Sequence, residues 1–313
     1  MRRIVFLVAL TAICLSFVSC SAVMGYGEPE ERLIASALGI DGDGEKITVS
    51  LRVSGVGSGV LLKGEGGSVE SAMAHLRGGD SKMPELSHLA VIVMGDGIDE
   101  EAMSEIFEYC RANREITVGV SLTAAYNAEE LLSVETADGY SLSAALREGR
   151  GGVGFASGSR FFEIENGQKP GHLRLPYFSA ADGEFSLSGL KLYCENDVTV
   201  RLDREESALY MLACGLFKGG FVDVNDKTSV RILSASSRLR PEEDGGTNYI
   251  ECRIKTNGKL SGDEVEELSA RMSRLCGELV QRYGTLSGLS EIMGKETSGD
   301  EEVRIKCIVI ESV

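Results

Sequence analysis

Apolar positions along the chain alternate or fall at helical spacing in separate blocks, and the blocks predict the elements. Residues 32–40 and 46–53 read as two strands joined by the tight turn Asp41-Gly42-Asp43-Gly44, a hairpin signal. Residues 87–95 (SHLAVIVMG) are apolar on both faces, which predicts a central strand covered on two sides. Asp99 can cap a helix reaching about Arg111, with Met103, Ile106, Phe107 and Cys110 on one face, and residues 116–125 predict a further strand. Strand, helix and strand in that order form one crossover unit. Residues 129–150 predict one or two short helices.

The second half follows the same code. Residues 173–178 and 184–193 are extended, and residues 203–217 form an amphipathic helix through Leu209, Leu212 and Leu216, closed by Lys218-Gly219-Gly220, where glycine suits a left-handed cap. Residues 229–239 and 248–256 predict paired strands around the charged turn 240–246. Residues 262–283 form the longest helix, with Val265, Leu268, Met272, Leu275, Leu279 and Tyr283 as its core stripe, and residues 303–313 return as a strand beneath it. Glycine-rich residues 54–67 predict a connector leading to a helix near Ser68, and residues 151–171 predict a loop. The class is α+β: several small domains, each a mixed β-sheet with packed helices.

The first block differs in kind. Arg2 and Arg3 precede an apolar run over residues 4–17, about 14 residues and short of the roughly 20 that span a bilayer, and Val18-Ser19 place small residues before Cys20. That is an export signal ending in a lipobox-like site. Cleavage would leave Cys20 first, its thiol converted to a thioether with diacylglycerol, and the acyl chains (palmitate or similar) would hold the body on a membrane. An ordinary secretory signal with Cys20 as a bystander is the alternative. The expected division is a lipoprotein signal peptide at 1–19, a tether at 20–27, an N-terminal region at 28–221 with a subdomain break near 150–172 left open, and a shortened C-terminal α+β domain at 225–313.

Composition narrows the chemistry. The formal charge of −16 over 313 residues argues against a nucleic-acid partner, and against head-group attraction as the source of membrane affinity, leaving that to the lipid. Of eight cysteines, Cys14 leaves with the signal and Cys20 is the lipid site; Cys110, Cys194, Cys214, Cys252, Cys276 and Cys307 are widely spaced with no CxxC pair. They read as small buried hydrophobes, with structural disulfides left open and no metal site expected. Asp41, Asp43 and Glu45 begin like a calcium loop, but Lys46 stands where glycine is required, so a solvated turn is expected. The glycines of 54–67 match neither phosphate-binding spacing. His88 has no nucleophile motif to serve and is expected to be a structural imidazole opening the central strand; His75 and His172 lie far off.

Several phrases in order resemble the Ger(x)C family, the lipoprotein C subunits of spore germinant receptors. They are Cys20, Leu38-Gly39-Ile40-Asp41, the 88–95 strand, Tyr109-Cys110-Arg111 with Glu115-Ile116, Ser188-Gly189-Leu190, and 209–220 ending in Phe217-Lys218-Gly219-Gly220. The chain departs from the family in having Ser21-Ala22 for the usual Trp-Asp, no Trp at all, and a short segment after Tyr283. The resemblance implies a non-enzymatic germination subunit without cofactors, lipid-anchored at Cys20 on the outer face of the cell or spore inner membrane. Its implied partners are the integral-membrane A and B receptor subunits, and its implied action is assembly with them. The rival reading is an extracytoplasmic solute-binding lipoprotein feeding a transporter.

Overall fold

The expected hairpin forms as β1 (Ile34–Gly42) and β2 (Ile47–Ser54), antiparallel from Ile34↔Ser54 to Gly42↔Ile47. The computed structural model describes residues 33–54, 59–76, 84–152, 161, 173–194, 198–225, 227–241, 248–283, 289, 292 and 304–311. Among these, an eight-stranded mixed sheet runs β3-β2-β1-β4-β5-β6-β7-β8 and a four-stranded sheet runs β12-β11-β10-β9. The α+β class with mixed sheets is what the patterning predicted.

The connector expected over 54–67 contains a strand, β3 (Val60–Gly66), antiparallel to β2. Its glycines are there for contact, not for looseness. Helix α1 (Val69–Ala74), capped by Ser68, lies so close that a Cβ on Gly64 would stand 2.1 Å from the Ala72 carbonyl oxygen and one on Gly66 would stand 2.6 Å from the Ala72 nitrogen.

β4 (Val91–Met94) is buried along its whole length and pairs in parallel with β1 and with β5 (Ser121–Ala125). The central position is as expected, but the strand is shorter: residues 87–88 turn before it, and His88 is exposed there and does not open it. Between β4 and β5 runs α2 (Glu100–Ala112), with Asp99 accepting from Ala102 N at 2.8 Å and the four predicted residues buried. After β5 come two helices, α3 (Ala128–Ser133) and α4 (Gly139–Gly152), before β6 (Arg174–Ala181) joins β5 in parallel. The sheet thus has four adjacent parallel strands, β1, β4, β5 and β6, where the patterning showed one crossover.

Alternation explains the two covered faces. Leu38, Ile40, Ile92, Met94, Leu122 and Ala124 face α1 and α2, while Ala37, Val91, Val93 and Ala125 face α3 and α4. β7 (Glu184–Tyr193) and β8 (Thr199–Leu202) complete the sheet by antiparallel pairing.

Helix α5 (Arg204–Ala213) opens with a capping box between Asp203 and Glu206 and is buried from Ser207 to Ala213. It ends at Cys214, earlier than predicted, and the left-handed cap is Gly215 (φ 67°), where a Cβ would meet Ser237 N at 2.3 Å. Gly219, the expected cap, instead leads into β9 (Gly220–Asn225). Then follow β10 (Thr228–Pro241), β11 (Asn248–Thr256), α6 (Gly262–Tyr283) and β12 (Ile305–Glu311), with β10 and β11 antiparallel and β11 and β12 parallel. One apolar cluster joins Leu190, Leu192, Val200 and Leu202 of the large sheet to α5, α6 and the inner residues of the small sheet. α5 is the element that both sheets share.

Candidate functional site

Cys20, the sequence-predicted lipid site, lies with the leader and tether outside the described residues, as do His172, the 240–246 turn from residue 242 onward and most of the 151–171 loop. The other family-like phrases lie within the described residues, and several of them fix one element to another.

Leu38-Gly39-Ile40-Asp41 is the seat of α3. A Cβ on Gly39 would stand 2.9 Å from Leu132 Cδ1, and the Asp41 carboxylate accepts from Ala128 N at 2.8 Å and Glu129 N at 2.9 Å. Asn127 takes the next donor, Glu130 N, at 2.6 Å, so the first turn of a six-residue helix is fully satisfied by two side chains. Asp41 is therefore not part of a solvated turn. Burial raises its pKa, against the two backbone donors that favour the ion. The other end of α3 is held from β2: the guanidinium of Arg52, 8% exposed, donates to Leu132 O at 3.1 Å and to Glu135 O at 2.9 Å. A cation at a helix C-terminus and an anion at its N-terminus both oppose the helix dipole.

The remaining phrases behave alike. Glu115 accepts from Leu86 N at 2.9 Å and ties the loop after α2 to the approach of β4. Gly189 lets β8 close in, since a Cβ there would stand 2.0 Å from Leu202 O, and Ser188 donates to Tyr177 O at 3.1 Å. Phe217 is buried and its carbonyl accepts from Ala235 N at 3.1 Å, joining the end of α5 to β10.

A buried polar network stands just past the carboxyl end of β4. Lys191, 2% exposed near the end of β7, places Nζ 3.0 Å from Asp96 Oδ1 and donates to Asp96 O at 3.3 Å. Tyr177 donates to Asp96 Oδ2 at 3.0 Å and receives a bond from Arg201 at 3.4 Å. Burial lowers the Lys191 pKa while Asp96 holds it up, and burial pushes Tyr177 up to about 12. Tyr193, whose ring lies 5.0 Å from the Lys191 ammonium, has a buried hydroxyl without a partner among the described residues. The sequence carried one signal of this network, a lysine between Leu190 and Leu192.

The six cysteines among the described residues are free thiols, five of them buried and Cys307 half-buried. Burial pushes Cys110 up to about 12 and Cys194 to about 11, which keeps them protonated at neutral pH. Cys252 and Cys307 are register partners across β11 and β12, and Cys252 donates to Leu212 O at 3.1 Å. His75, at the end of α1, bonds Glu65 O through Nδ1 at 2.6 Å. The described residues contain no His, Cys, Asp or Glu cluster able to hold a metal, and no helix long and apolar enough to cross a membrane.

In the small sheet, Glu251 on β11 is clasped by Arg238 Nε at 2.7 Å and Arg253 Nε at 2.9 Å. The Arg238 bond, then that from Arg253, sets its pKa below the ordinary 4.5 against some opposing burial. A carboxylate depressed in the fold contributes stability fully above its unfolded pKa and loses it as pH falls through the folded value. Acid titration of the Glu251→Gln variant is therefore expected to show a shallower loss of stability below pH ~4.5 than the wild type. An unchanged slope would remove Glu251 from the account.

Residues 25–151 match the model of the family described as the spore germination protein N-terminal domain. That match covers the N-terminal two fifths of the chain and supports the likeness to the Ger(x)C spore germination proteins. The matched span contains the hairpin, the parallel strands β1, β4 and β5 and both ends of α3, so the Asp41 and Arg52 anchors fall within the germination-protein-like domain. No curated protein matches. The crystal structure of the GerBC protein aligns with TM-score 0.46 and 14% identity over 88% of this chain and 96% of that one, too loose a likeness to support a claim about function.

Proposed function

We propose that this germination protein is the lipid-anchored subunit of a nutrient germinant receptor and acts by assembly, with no bond-making of its own. The observation that carries the reading is order: a germination-protein domain over 25–151 begins directly behind the lipobox-like Cys20. Acyl chains on Cys20 hold the body at the outer face of the cell or spore inner membrane, beside the A and B subunits. From Cys20 to Leu33 the chain can span at most roughly 45 Å, so an anchored body and its partners share a thin layer where weak interfaces suffice. We keep the division into a region at 28–221 and a C-terminal domain at 225–313 as part of the proposal.

The test is metabolic labelling with a tagged palmitate analogue, followed by fractionation. The wild type is expected to carry label and to sediment with membranes, and Cys20→Ala to lose the label and enter the soluble fraction. An unlabelled wild type, or a mature N-terminus downstream of position 20, would overturn the anchor. Co-purification of multi-span subunits with the labelled protein supports assembly; tight one-to-one binding of an amino acid or sugar by the isolated chain would favour solute capture instead.

A further inference from the structure

The small sheet has one covered face and one open face. Val222, Val224, Val230, Ile232, Ile250, Cys252, Ile254 and Ile305 turn inward on α5 and α6. The alternate positions turn out, and the register arranges them in rows: Arg238 beside Glu251 beside Lys306, Arg253 beside Ile308, Lys255 beside Ile310, and Arg231 beside Phe221. Arg240 lies at the end of the β10 series, half-buried, and the other cations named are exposed.

Two features of that face are unlike the rest of the molecule. Its cations are Arg231, Arg238, Arg240, Arg253, Lys255 and Lys306, and its carboxylates are Glu251, enclosed by its arginines, and Asp223, in a chain whose net charge is −16. Phe221, Ile308 and Ile310 are 61%, 41% and 48% exposed at the two edges of the same face. Among the described residues, α5 and α6 pack on the other face of this sheet, and α4 approaches it only at β9.

We propose that this outer face of β9 to β12 docks on an anionic phospholipid surface, the cations meeting lipid phosphates and the edge residues Ile308 and Ile310 entering the interface. A sheet face of alternating cations and exposed aliphatics is matched to a surface that is anionic and extended, with hydrocarbon just below. Net charge does not forbid the contact, because at physiological ionic strength a charge more than about 8 Å away is largely screened, and the face acts through its own residues. Each cation near an anionic leaflet adds attraction. The inference rests on the anchored reading, since acylated Cys20 would bring the body to the bilayer and this face would set how it lies there.

Because the chain has no Trp, Ile310→Trp in the full chain introduces a single indole reporter. Vesicles of phosphatidylcholine alone, and of phosphatidylcholine with an equal part of phosphatidylglycerol, supply the two surfaces. The expected result is a blue shift of emission only on the anionic vesicles, reversed by salt at ~0.5 M. Adding Arg253→Glu and Lys255→Glu, four charge units, is expected to weaken the response by on the order of 100-fold, while far-ultraviolet circular dichroism reports whether the fold is kept. Loss of the fold in that variant shifts the comparison to Arg253→Gln with Lys255→Gln, for which a weakening of at least ~10-fold is expected. Equal emission on both vesicles, or no weakening in a folded charge variant, overturns the proposal. A shift with soluble polyglutamate and none with vesicles also overturns it, in favour of an acidic protein partner. The readout is local to residue 310 and does not depend on position 20, so palmitate labelling without a shift sinks this face alone, and a shift without labelling sinks the anchor alone.

Discussion

Gly139→Ala is expected to lower the free energy of unfolding by on the order of 3 kcal/mol or more, or to prevent folding. Gly139 opens α4, and an added Cβ would stand 1.7 Å from the Ser36 carbonyl oxygen and 2.3 Å from its carbon. Both are backbone atoms of β1, which is hydrogen-bonded on either side to β2 and β4 and cannot yield locally. Gly139 N also donates to Ser36 Oγ at 3.3 Å, so helix and strand are fixed to one another at this point. The only relief is to lift α4 away and uncover Leu142 and Leu146 on the second face of the sheet. Chemical denaturation followed by circular dichroism checks this; wild-type stability would mean that α4 is not seated on β1 as described.

Asp96→Ala is expected to cost about 3–5 kcal/mol, while Lys191→Met costs far less, although both break the same ion pair. The asymmetry follows from burial: Lys191 is 2% exposed and Asp96 34%, so losing the carboxylate leaves an ammonium in the interior, and losing the ammonium leaves a carboxylate near water. Tyr177 loses its acceptor in the first variant and keeps it in the second. The pH dependence carries a sign. Burial already holds Lys191 below its ordinary 10.5, and without Asp96 it falls further, so between the folded value and 10.5 the unfolded chain binds more protons and stability rises with pH. Denaturant midpoints of Asp96→Ala should climb from pH 7 toward 10. Equal costs for the two variants, or a flat pH profile, would show that the pair is not a buried charge with one exposed partner.

The legible parts of the fold were those whose periodicity is long and self-consistent. α6 was delimited by its apolar spacing, β4 was recognised as central because it is apolar on both faces, and α2 was placed by Asp99 and four apolar residues. The failures share a cause. β3 was hidden because its glycines look like a flexible link, and glycine encodes close approach and looseness with the same letter. β8 and β9 are short, and four to six residues give too little pattern. Gly215 and Gly219 both follow α5, and only the path of β10 beneath Gly215 decides which one caps the helix.

At the level of sites, the sequence marked the phrases that matter without saying how. Asp41 was visible as one of a run of acids, but its partners, Ala128 N and Glu129 N, lie 87 and 88 residues away. Arg52 was one arginine in a strand, and its acceptors are 80 and 83 residues distant.

By itself the sequence determined the α+β class, most of the longer elements and the likeness to a germination family, because each is written in local order: short phrases in sequence, a period of two or of 3.6. Tertiary structure alone decided that Asp96 neutralises Lys191, that Asp41 and Arg52 hold α3 by its two ends, and that an acidic protein gathers a basic face on one sheet. Charge and contact are sums over neighbours in space, and those neighbours are chosen when sheets pair and helices pack, at separations no local pattern records.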